Sequence, residues 1–72
     1  MESIIFRLEN AGLRIQGQHN GKGFNFLVNA KTRFGARQII EAQLRPLGVT
    51  DVLGCFVSMT ANMLQIKESD PT

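Results

Sequence analysis

The stretch LRIQGQHNGKGFNFLVNA, from Leu13 to Ala30, holds two runs of alternating residues on either side of Asn20-Gly21. Asn-Gly between two such runs is a strong sign of a β-hairpin, because both residues accept the positive φ angles of a two-residue type I′ turn. The alternation then assigns the faces. Leu13 and Ile15 point one way, with Arg14, Gln16 and Gln18 opposite. Phe24, Phe26 and Val28 join the first set, and Asn25, Leu27 and Asn29 the second.

Upstream, Ser3 to Glu9 alternates in the same sense, with Ile4, Phe6 and Leu8 on one face and Ile5, Arg7 and Glu9 on the other. Asn10-Ala11-Gly12 supplies the turn that follows. Downstream the period changes. Ala36, Ile39, Ile40 and Leu44 recur at helical spacing, while Arg33, Arg37, Glu41 and Arg45 form a row on another face. The spacing predicts a helix over 32–45, with Thr32 as N-cap and Pro46 and Gly48 ending it.

Val52 to Met59 reads as a central strand, with Leu53, Cys55, Val57 and Met59 on one face and Val52 and Phe56 on the other. Residues 62–67 read as a further strand or a short extension, and Glu68 to Thr72 as a polar tail. A strand, helix and strand returning to one sheet form a right-handed parallel crossover. The expected fold class is therefore α+β: one domain over 1–68, a mixed sheet of four to five strands in the order β-β-β-α-β, and a single helix on one face. The other face is left bare, and it would expose Ile5, Leu27 and Phe56, with Leu64 or Ile66 beside them.

A chain of 72 residues buries only about 60% of the surface its unfolded form exposes. Its one cysteine, Cys55, and one histidine, His19, allow neither an internal disulfide nor a Cys/His zinc site. With no such staple, a partner is expected to supply further buried surface. Met1-Glu2-Ser3 is acidic and the apolar residues after it are interrupted at Arg7 and Glu9, unlike a secretory leader. No apolar run approaches the length of a membrane span. The expected location is the cytoplasm, with no membrane partner.

The formal charge of +2 is unevenly spread. Between Ala11 and Pro46, Arg14, Lys22, Lys31, Arg33, Arg37 and Arg45 are opposed only by Glu41. Such a block suits nucleic acid or an acidic protein surface. On the helix it also suits a solvated face, with Glu41 and Arg45 paired at i,i+4.

Lys22 to Asn29 resembles in part the RNP1 octamer of the RNA recognition motif, [KR]-G-[FY]-[GA]-F-V-x-[FY]. The resemblance covers eight residues and a helix holding Ala36, Ile40 and Ala42. It implies Phe24 and Phe26 as outward stacking platforms for bases, with Lys22 near a phosphate. The sequence departs from the pattern at Asn25 and Asn29, which that orientation would turn into the core, and the chain ahead of the octamer is too short for the family's first strand and helix. An ordinary core strand is the preferred reading.

No set of nucleophile, base and oxyanion donor can be assembled, and Gly17, Gly21 and Gly23 lie around a hairpin, where they cannot form a phosphate loop. The sequence thus points to a non-catalytic module without cofactor or metal. Its first expected role is protein interaction, by self-association or by docking on a larger partner through Ile5, Leu27 and Phe56. The alternative is nucleic-acid binding through Arg14, Lys22, Lys31, Arg33, Arg37 and Arg45.

Overall fold

The computed structural model describes residues 3–67. Three antiparallel strands, β1 (Ser3–Glu9), β2 (Gly12–His19) and β3 (Lys22–Val28), form a meander in the order β1-β2-β3. The turn between β2 and β3 has φ of 53° at Asn20 and 76° at Gly21, the paired positive angles expected of Asn-Gly. Register follows from the two short turns. Phe6 faces Ile15 and Phe26, and Arg7 faces Arg14 and Leu27, in two rungs on opposite faces of the sheet. Phe24, opposite Gly17, lies on the core side like Phe26, so neither is the outward platform that the RNP1 resemblance implies.

Helix α1 (Arg33–Leu44) begins where expected, with the Thr32 hydroxyl accepting from the Gly35 amide at 2.9 Å. A 3-10 turn, Arg45–Leu47, carries Pro46 where no amide is required, and Gly48 follows at φ 76°. The Val49 amide then reaches back to the Leu44 carbonyl at 3.1 Å, completing a Schellman turn.

The second half departs from expectation. Residues 52–59 do not form a strand: Leu53–Met63 is a second helix, α2. Among the described residues the sheet therefore has three strands, all antiparallel and without a crossover, and two helices stand in place of one. No strand forms over 62–67 either; Gln65 takes φ 57°, and the Ile66 amide bonds the Ala61 carbonyl at 2.9 Å to close α2. The expected tail at 69–72 lies outside the described residues. The period explains the correction. Leu53, Phe56, Val57, Thr60 and Ala61 are buried, a spacing of three and four, while Cys55 and Met59 are exposed. A short apolar run satisfies both periods, and a central strand apolar on both sides would need cover on both faces of the sheet.

Both helices contribute to one core with the inner face of the sheet: Leu13, Ile15, Phe26 and Val28 meet Ala36, Ile40 and Leu44 of α1 and Leu53, Phe56 and Val57 of α2. Phe56 locks the layers. Its ring lies 5.4 Å from Phe6 of β1 and 5.9 Å from Phe24 of β3, edge to face in both cases.

Candidate nucleic-acid interface

The helices pack on the face bearing Leu13 and Ile15, and the opposite face carries Ser3, Ile5, Arg7, Glu9, Arg14, Gln16, Gln18, Asn25 and Leu27. Two rungs form its centre. One is Ile5–Gln16–Asn25 and the next is Arg7–Arg14–Leu27.

Directly opposed arginines repel across a ladder. Glu9, at the end of β1, answers that repulsion. Both of its oxygens accept from Arg14, from Nε and from Nη2 at 3.4 Å each, and Arg7 Nε lies 3.6 Å away. The remaining donors are directed across the strands. Arg14 Nη1 donates to Asn25 Oδ1 at 3.1 Å, and Arg7 Nη2 to Gln16 Oε1 at 3.3 Å. The result is a lattice of guanidinium and amide groups, with Arg7 more exposed than Arg14.

Sequence-predicted site residues divide between this face and the rest of the molecule. Arg14 is at its centre, and Ile5 (47% exposed) and half-buried Leu27 flank the arginine and amide groups. Phe56 is not on it. At 3% exposure it is a core residue, so the expected exposed trio loses its largest member. Lys22 stands at the β2–β3 turn and Lys31 in the loop before α1. Arg33 and Arg37 are on α1 and Arg45 follows it, with Glu41 at 3.6 Å from Arg37 and 3.4 Å from Arg45. The six cations therefore do not form one patch.

Arg7, Gln16 and Asn25 belong to the site but were absent from the expected set, which counted basic residues in one segment. Hairpin register was the available signal, since two short turns fix which outward residues become neighbours. His19 is also better placed than its turn position suggests. Its Nε2 lies 3.2 Å from Asp51 Oδ1, tying the sheet to the loop before α2. That hydrogen bond is the main cause that holds the Asp51 carboxyl below its ordinary range.

No family model, curated protein or solved structure matches this chain. Function must be read from the surface. Among the described residues, no group of three or more His, Cys, Asp or Glu could hold a metal ion, and no helix is long and apolar enough to cross a membrane. An open depression beside the end of α2 is lined by Arg33, Cys55, Ser58, Asn62 and Lys67 among others, with no carboxylate or histidine to act as a base.

Proposed function

We propose that this chain is a non-catalytic nucleic-acid-binding module that lays the uncovered face of its sheet against a duplex. One observation carries the reading: Arg7, Arg14, Gln16 and Asn25 stand side by side on the face that no helix covers. Arg, Gln and Asn are the side chains whose paired donors and acceptors match base edges, and strands can enter a groove to present them. Charge agrees. Residues 3–67 hold eight Lys and Arg against three Asp and Glu, and each of those acids has a basic partner within 4 Å. A duplex is favoured over a single strand because the face bears no aromatic ring on which an unpaired base could stack.

The test is fluorescence anisotropy with a labelled mixed-sequence duplex and the matching single strand, over a salt series. The duplex should bind more tightly, with affinity falling steeply as salt rises. Arg14→Ala should weaken binding by about tenfold or more, the effect of losing one good base or phosphate contact. Glu9→Gln should strengthen binding, because it removes the one carboxylate from the lattice. Absence of duplex binding at low salt, or an unchanged affinity in both variants, would overturn the proposal.

The second reading, docking of a protein on the same face, is supported by the exposure of Ile5. With Phe56 in the core, only Ile5 and Leu27 remain to anchor such a partner. Leu27→Asp would then abolish capture of that partner while Arg14→Ala leaves it intact.

A further inference from the structure

The outer edge of β1 faces no strand among the described residues, because the sheet runs β1-β2-β3. Natural edges are guarded by charged side chains, by proline, by bulges, by inward-pointing charge or by a covering element. β1 carries two charges, Arg7 and Glu9, which share the uncovered face and answer each other at 3.6 Å; it has no proline, pairs with β2 in unbroken register, and turns the uncharged Ile4, Phe6 and Leu8 toward the helix side. Nor is it fully covered. Ile5 is 47% exposed and Leu8 59%, two of the four exposed large hydrophobics among the described residues. They lie on opposite faces of the sheet, so a ligand on one face could not cover both, whereas a strand alongside would. The other edge, β3, contributes none of the four, and its exposed residues are Lys22, Gly23 and Asn25.

We propose that β1 pairs antiparallel with β1 of a second copy about a twofold axis at Phe6, giving a continuous six-stranded sheet. Self-complementarity selects the second copy as the occupant. Opposed residues must share a face, so the symmetric registers differ by steps of two residues. The axis at Phe6 matches all seven residues of the strand: Ile4 opposes the partner's Leu8, Ile5 the partner's Arg7, and Ser3 the partner's Glu9. Moving the axis to Arg7 sets two arginines directly against each other, an unfavourable pairing. Moving it to Ile5 pairs only the five residues from Ser3 to Arg7 of the strand. The chosen register opposes no like charges and covers both exposed apolar side chains. The pairing uses the edge alone and stands independently of what binds the uncovered face.

The experiment is native mass by light scattering over a dilution series, with amide hydrogen exchange on the full chain. The expected mass is twice 8.0 kDa, with exchange at Ile4, Phe6 and Leu8 slowing as the dimer forms. Leu8→Lys and Ile5→Lys, both at exposed positions, should each raise the dimer dissociation constant by at least about tenfold, while Leu27→Lys, on the far strand, leaves it unchanged. Circular dichroism identifies any variant that fails to fold, and the other edge variant then decides. A monomer at about 100 μM would overturn the proposal. So would a dimer that survives both edge variants but is lost in Leu27→Lys.

Discussion

The two faces of this sheet are built from alternate residues of the same three strands, yet they obey opposite rules. On the covered face Leu13, Ile15 and Val28 are wholly buried against the helices. On the uncovered face the same strands hold Arg7, Arg14, Gln16 and Asn25 in contacts of 3.1 to 3.4 Å with neighbouring side chains and with Glu9. Dry packing stabilises the first face in proportion to the area removed from water. Ion pairs at the surface, such as the half-buried pair of Arg14 with Glu9, add only about 1 kcal/mol each. Stability thus resides on one face, and the other is free to present chemistry.

The largest expected effect tests that division. Phe56→Ala removes the ring that contacts both Phe6 and Phe24, and should cost about 3–5 kcal/mol, a large part of the stability of any domain this small. Arg14→Ala should cost no more than about 1 kcal/mol. Urea unfolding of the two variants measures both. Similar losses in the two would mean that the uncovered face is a structural layer after all.

The strands were more legible than the second helix, for a physical reason. Asn20-Gly21 admits few alternatives to a tight turn, and alternation from Leu13 to Val28 then settles which residues face the core. Thr32 and Pro46 bracket α1 by chemistry of comparable specificity. Val52 to Met63 has no such punctuation. No side chain caps the start of α2, and Leu53, Cys55, Val57 and Met59 alternate as well as any strand. What separates the two periods is Thr60, which continues the helical stripe of Leu53, Phe56 and Val57 and has no place in the alternating one, whereas Ala61 fits both. Of the uncovered face, the orientation of Arg14 and Leu27 was readable, whereas its neighbourhoods required the register. Likewise, nothing local to His19 could point to Asp51, which lies 32 residues away.

Thr60 sharpens the same contrast by an exception. It is the one buried polar residue among those described, and its hydroxyl oxygen has no hydrogen-bond partner there. A buried unpaired hydroxyl is a net cost, and Val has nearly the same shape. Thr60→Val should therefore stabilise the protein by about 1 kcal/mol and raise Tm by about 4–8 °C, read by calorimetry. A loss of stability would mean that the hydroxyl is satisfied, and that the helix-side layer is wetter than its burial implies.

The smallest effect belongs to the rim where sheet and helices meet, at His19 and Asp51. Asp51 is exposed and its carboxyl is held below 3.8, chiefly by the hydrogen bond from His19. A carboxyl that titrates lower when folded than when unfolded adds stability above the unfolded value, and that contribution is lost as pH falls through the folded one. The difference in Tm between the natural chain and Asp51→Asn should therefore be positive at about pH 5, then shrink through the acid range and vanish once the folded carboxyl is protonated. A difference that persists unchanged at the lowest pH would assign the effect to the shape of the loop before α2. In that case charge at the rim contributes nothing to holding the hairpin against the helices, and the covered face does so alone.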